Sequence, residues 1–302
     1  MASTTSPSVI ELDGPFAHEF VHTRGVRLHV VTAGSKQDPL VVLVHGGFGG
    51  WFDFREVIAP LADQGFHVAA VDLRGTGMSD KPPVEPGQDI RTLVGDLTGL
   101  VQALGHTSAF FIGDDTGGAV AWAVATSRPE RTRGLVSIAA AHPVDMRRSI
   151  AARPWDFTWI SLRALTCRVY QPFGRTSYLL SPATYRKALQ LNVEPTLSDA
   201  TFNRSLELRT LASQIGNAHR GILWNHRMLT AVVPFKWVDT KAHCPVLFLH
   251  ADQQLWKPVI RRASRRVRGD FVSQNIPGTK NLPHLEDPEQ FVHVASQWLR
   301  AT

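Results

Sequence analysis

The stretch Phe110-Phe111-Ile112-Gly113-Asp114-Asp115-Thr116-Gly117-Gly118-Ala119-Val120 reads as a buried strand, a tight turn and the start of a helix. Glycines stand two before and two after Asp115, the G-x-nucleophile-x-G layout in which missing side chains leave room for strained backbone and close helix–strand packing. Such a turn projects the Asp115 carboxylate over the end of the sheet. It also places the Thr116 N–H, at the helix start, where it can stabilise oxyanion charge. An aspartate at this position, in place of serine, can attack carbon and form an ester. The plain alternative is a strand–helix turn whose acid suits the helix dipole.

Working outward, Val41-Val42-Leu43-Val44 is an apolar run of strand length that breaks at His45-Gly46-Gly47-Phe48-Gly49-Gly50. This turn offers a second oxyanion N–H, from Gly47 or Phe48, and neither glycine run has the G-x-G-x-x-G spacing of a dinucleotide site. Further apolar runs at 67–71, 109–112, 135–140 and 246–250 alternate with helix-length amphipathic stretches, which predicts a mostly parallel, doubly wound α/β sheet. Between about 142 and 243 the rhythm stops, and helical patterns such as 202–215 follow with no strand run. The expected organisation is one α/β core in two parts, 1–142 and 244–302, with a helical cap over 143–243 inserted after the sixth core strand. A pocket is expected between core and cap, at the carboxyl ends of the strands.

Composition narrows the function classes. The 302 residues are 43% hydrophobic and 19% charged, a folded globular balance with ample length for a core. Two cysteines, Cys167 and Cys244, are too few for a disulfide scaffold and point to a reducing, cytoplasmic setting. Residues 1–15 lack an apolar signal core and no apolar run reaches about 18 residues, so neither secretion nor a membrane span is expected. The net charge of +6 raises the question of nucleic acid. Its arginine groups, Arg261, Arg262, Arg265, Arg266 and Arg268, with Arg147, Arg148 and Arg153, are read as solvated faces because no nucleic-acid module accompanies them. The 13 histidines are scattered without H-E-x-x-H, so no metal and no cofactor is expected. The expected partner is a small-molecule substrate or ligand, and a homo-oligomer is compatible with the sequence.

Together these motifs resemble the α/β-hydrolase family, and its epoxide hydrolase branch in particular, over nearly the whole chain. His45-Gly46-Gly47 is similar to the oxyanion turn, and Asp72-Leu73-Arg74-Gly75-Thr76-Gly77-Met78-Ser79-Asp80-Lys81-Pro82 to the D-x-R-G-x-G-x-S-D-K-P loop. Gly113 to Gly118 is similar to the G-x-D-x-G-G elbow, and Ala141-His142-Pro143 to the entrance of the cap. The resemblance implies an Asp115 nucleophile, a histidine that activates water and an acid that orients it. Gly278-Thr279-Lys280-Asn281-Leu282-Pro283-His284-Leu285-Glu286 is similar to the family's G-H-x-P-H-L-E loop, which puts Asn281 at the histidine position. An amide can position water but cannot take its proton as imidazole does. The acid position falls on Gln254, two residues after Asp252, and the cap tyrosine position on His226. His284 and Asp252 are the candidates to rescue the missing base and acid. His226 can donate to a substrate oxygen, or be a histidine satisfied within the cap. Trp155, Phe157 and Trp159 stand near the first cap tyrosine position, to wall the cavity or pack the cap, and Tyr170, Tyr178 and Tyr185 are the chain's only tyrosines.

The expected function is a divergent epoxide hydrolase-like α/β hydrolase with a degenerate triad, acting through Asp115 on a small, largely apolar substrate. The alternatives are a non-hydrolytic enzyme (lyase, isomerase or cyclase) and a ligand-binding pseudohydrolase on the same fold. A serine esterase is excluded because no G-x-S-x-G occurs. A dehalogenase is disfavoured because Thr116 stands where its halide-binding tryptophan belongs.

Overall fold

In the computed structural model, which describes residues 5–85, 87–169 and 180–302, an antiparallel hairpin opens the sheet, β1 (Ala17–Thr23) and β2 (Val26–Ala33). Its two-residue turn, Arg24 and Gly25, has φ of 46° and 76°, the positive pair that a tight hairpin turn of the right twist requires. The chain then alternates: β3 (Leu40–Val44), α1 (Arg55–Ala62), β4 (His67–Val71), α2 (Ile90–Ala103), β5 (Ala109–Asp114), α3 (Asp115–Ser127) and β6 (Thr132–Ile138). Between β6 and the next strand come α4 (Pro143–Ala152), α5 (Thr158–Val169), α6 (Pro182–Asn192), α7 (Asp199–Gln214) and α8 (Ala218–His226). Then β7 (Val246–Leu249), α9 (Trp256–Arg265), β8 (Phe271–Gln274), α10 (Pro283–Glu286) and α11 (Pro288–Ala301) complete the fold.

The eight strands lie in the order β1-β2-β4-β3-β5-β6-β7-β8, with β2 antiparallel to both neighbours and every later pairing parallel. The central strands are buried along their whole length because helices cover both faces. Val42, Val44 and Phe111 pack toward α2 and α3, while Val41, Leu43 and Phe110 pack toward α1 and α11. The apolar runs read from the sequence are five of these strands. The hairpin and β8 were not among them: β1 and β8 are partly exposed and carry no continuous apolar run. The helical pattern at 202–215 is α7, capped by the Ser198 hydroxyl accepting from the Thr201 N–H.

One arginine departs from the expected solvated face. Arg266, just past α9, is buried and grips the Asp145 carboxylate of α4 through two nitrogens, the longer contact at 3.0 Å, while Nη1 donates to the Val238 and Thr240 carbonyls. A helix ending on the core turns its last arginine inward when a buried acid waits there. Cys167 and Cys244 are buried and unpaired. No helix among the described residues is long and apolar enough to cross a membrane. Tyr170 and Tyr178 lie outside the described residues, and Tyr185 is buried in α6.

Candidate active site

Asp115 stands at the β5–α3 elbow with φ of +46°. The strained turn is possible because the flanking glycines leave no side chains in the way. A Cβ at Gly113 would meet the Gly117 carbonyl carbon at 2.8 Å, and one at Gly118 would meet Gly113 O at 2.7 Å. The Gly47 N–H donates to Asp115 Oδ2 at 3.0 Å. That N–H is fixed from behind: His45 Nδ1–H donates to Gly46 O at 2.7 Å, and His45 Nε2 accepts from the Leu73 N–H at 3.1 Å. The loop after β4 is anchored in turn by buried Asp72, which accepts from the Trp51 and Met78 N–H groups and from His29. Burial pushes this carboxyl up, but His29 and the Met78 N–H prevail and hold it at about 2.

The second partner of Asp115 was not visible in the sequence. One guanidinium nitrogen of Arg163, on α5, donates to Asp115 Oδ1 at 2.9 Å and to Oδ2 at 2.8 Å. Burial works to raise the Asp115 carboxyl, yet the Arg163 charge and hydrogen bonds, with the Gly47 N–H, bring it below its ordinary value. Arg163 also lies over the Phe48 ring, 5.3 Å from its centroid. The only sequence signal is a cation within the apolar stretch Trp159-Ile160-Ser161-Leu162-Arg163-Ala164.

Asp115 faces a cavity of about 300 Å³ whose walls come from the elbow, the oxyanion turn, α5 to α7 and the loops after β7 and β8. Phe48, Phe157, Trp159, Ile160 and Leu191 supply much of its apolar wall, whereas Trp155 is largely exposed. Asp114 also lines it. Burial, reinforced by Asp53 and Asp115, pushes that carboxyl well above its ordinary value, and its Oδ1 is unpartnered among the described residues. Arg209 reaches the wall from α7 and is held by Asp53 at 3.1 Å.

Asn281 does line the cavity, with its Nδ2 donating to Asn192 Oδ1 at 3.1 Å and its own Oδ1 unpartnered among the described residues. Glu286 fixes this loop by accepting from the Lys280 and Leu282 N–H groups. His226 packs against Gly47 and the Phe48 ring, and both its nitrogens lack partners among the described residues. Burial and then Arg163 push its imidazole well below the usual range, so it is neutral. Thr116 is buried behind the elbow.

Three expectations need correction. Gln254 is exposed and does not line the cavity. The tight turn after β7, in which the Gln253 N–H bonds to Ala251 O, puts Gln253 on the wall instead. Asp252 is likewise exposed. His284 is turned into the core by α10, stacked on Phe54 at 4.5 Å and edge-on to Phe291, with burial pushing it down to about 3. Neither Asp252 nor His284 is placed to rescue the chemistry, and no histidine lines the cavity among the described residues.

The model of the α/β hydrolase fold matches residues 39–261, well over half of the chain. The chain belongs to the α/β-hydrolase fold family. Within that family its similarities run to the epoxide hydrolase branch. It is 41% identical over 123 residues to epoxide hydrolase B of Mycobacterium tuberculosis, covering 40% of this chain and 35% of that protein. It is 28% identical to epoxide hydrolase 3 of Xenopus tropicalis, over 98% of this chain and 81% of that one. The chain spans less than half the length of several curated relatives it matches, from 35% to 45%. The crystal structure of epoxide hydrolase A from Mycobacterium thermoresistibile superposes with a TM-score of 0.75 at 24% identity, covering 94% of this chain and 98% of that one, a likeness of fold.

Proposed function

We propose that this epoxide hydrolase-like protein opens a small, largely apolar electrophile, an epoxide above all, by covalent attack from Asp115. The observation that carries the reading is the division of labour between the two carboxylate oxygens. Oδ2 accepts from both Gly47 N–H and Arg163, while Oδ1 has Arg163 alone. Oδ1 is then the attacking atom. Its bond to carbon forms as the ring C–O bond breaks, and the departing oxygen takes a proton from solvent. Oδ2 becomes the ester carbonyl oxygen, already seated on the donors that stabilise an oxyanion when water later adds to the ester carbon.

That second step needs a base to take the proton of the attacking water. Asn281 cannot do so and the cavity offers no imidazole among the described residues, so release is expected to be slower by about 10²–10⁴ than with a base in place. The protein is therefore read as forming its alkyl ester readily and resolving it slowly. The same lack of a base favours, as second reading, a ligand-binding protein that never reaches turnover. Incubation with a panel of terminal epoxides, neutral and carboxylate-bearing, in ¹⁸O-water, followed by mass spectrometry, separates the two. An adduct on the Asp115 peptide, with slow appearance of diol, is expected. Neither adduct nor diol above an Asp115→Asn control would remove the catalytic reading.

A further inference from the structure

The charges around the cavity do not cancel. Arg209 is matched by Asp53 at 3.1 Å, Asp156 faces Arg153 at 3.7 Å, and Arg163 is matched by Asp115. The remaining wall cation, Lys280, has no acid within ion-pair distance of its ammonium among the described residues, and only its backbone N–H is held there, by Glu286. The remaining wall acid, Asp114, is buried with Oδ1 unpartnered among the described residues, and burial pushes its carboxyl well above the ordinary value, toward the proton-bearing form. The indole N–H of Trp159, another wall residue, also has no acceptor among the described residues.

Arg163 poses a second problem for a neutral substrate. While its guanidinium sits on both Asp115 oxygens, Oδ1 shares its electron density with a cation. A neutral molecule reaches Oδ1 by displacing the Arg163 hydrogen bond to it, which leaves a nearly buried guanidinium on Oδ2 alone with nothing to replace the lost acceptor. A molecule bearing its own carboxylate lets Arg163 exchange one carboxylate for another, and gives Lys280 the counter-charge it lacks.

We infer that the cavity takes small molecules bearing a carboxylate beside the reacting carbon, received by Arg163 and Lys280, and that this carboxylate draws Arg163 off Asp115 Oδ1. The inference rests on the covalent reading above for its second half and on the cavity alone for its first. Attack is then unmasked by the substrate itself, and a neutral compound of the same shape finds the nucleophile still paired.

Two measurements separate the halves. Calorimetric titration with cyclopropanecarboxylate and cyclopropanecarboxamide, an unreactive pair of equal shape, reads the receptor without chemistry. Binding of the carboxylate at least about tenfold tighter than the amide is expected, weakening with salt and lost in both Arg163→Gln and Lys280→Met. Glycidate against glycidamide, followed by mass spectrometry of the Asp115 peptide, reads the unmasking. Glycidate is expected to label at least about tenfold faster in the native protein, a preference that disappears in Lys280→Met even if Arg163→Gln does not fold. Equal binding of the cyclopropane pair would overturn the inference, as would equal labelling by the two epoxides. Carboxylate binding without any labelling would uphold the receptor and sink the covalent reading. Labelling by neutral epoxides with no carboxylate binding would do the reverse.

Discussion

Replacing Arg163 by Gln removes the cation from a pair whose side chains are 5% exposed on the arginine side and 27% on the aspartate side. Breaking a buried pair by deleting one partner costs roughly 3–5 kcal/mol, and the partial exposure of Asp115 lowers this to about 2–3 kcal/mol at pH 7. The pH dependence carries the sharper signature. In the native protein Asp115 has a folded pKa below its ordinary 3.8, so the stability it contributes is present above that value and is lost as pH falls through the folded pKa. Without Arg163, burial faces only the Gly47 N–H and the weaker influence of His226. The carboxyl moves up, its ionised form is penalised, and the variant gains stability as pH falls. The gap between the two proteins is therefore widest at neutral pH and narrows below about pH 4. Urea denaturation followed by tryptophan fluorescence at both pH values measures it, with Asp115→Asn and the double variant closing a cycle. A coupling energy of about 2 kcal/mol is expected. A loss under about 0.5 kcal/mol, equal at both pH values, or strict additivity in the cycle, would refute the reasoning.

Three other outcomes follow from the same geometry. Gly47→Ala drives a methyl group into the buried His226 ring, so a loss of about 1–3 kcal/mol is expected, relieved when His226 is also made Ala; thermal unfolding of the three variants checks this. Asp72, held at about 2 against an ordinary 3.8, contributes roughly 2 kcal/mol above pH 4 that fades as pH falls toward 2. An acid titration of stability in which Asp72→Asn keeps the native slope would contradict that assignment. Asn281→His puts an imidazole on the cavity wall, and release of labelled Asp115 should quicken by up to about 10²–10⁴, seen as a burst giving way to steady diol formation; an adduct as long-lived as before would show that position 281 is not where water is activated.

The elbow and the central strands were legible because each is forced by packing that leaves a trace in residue type. Gly113, Gly117 and Gly118 have no space for a side chain, and strands covered on both faces must be apolar throughout. The β1–β2 hairpin was not legible in the same way, since its outer strand is partly exposed and carries polar residues. Asn281 was placed on the cavity by its spacing within a recognisable loop. Gln254 failed by one position, because a tight turn after β7 decides which of two adjacent glutamines faces inward, and no residue type marks that choice. His284 failed for a related reason: one turn of helix aims it between Phe54 and Phe291.

Arg163 was beyond the reach of pattern because its partner lies 48 residues away, across the packing of α5 on the sheet. Its presence nonetheless fits the proposed reading of Asn281 at the histidine position. A carboxylate held in a cavity needs a positive counterpart, and an amide at position 281 supplies none. The guanidinium restores the charge balance without restoring the chemistry, since it stays protonated at any working pH and cannot accept a proton from water. A site that exchanges imidazole for a fixed cation keeps what bond formation at carbon requires, an ionised and oriented carboxylate with donors on its second oxygen. On the proposed reading it gives up what hydrolysis of the resulting ester requires. Whatever this cavity receives, the physical expectation is capture ahead of release, and the lifetime of the Asp115 ester is the quantity that measures how far the two have been separated.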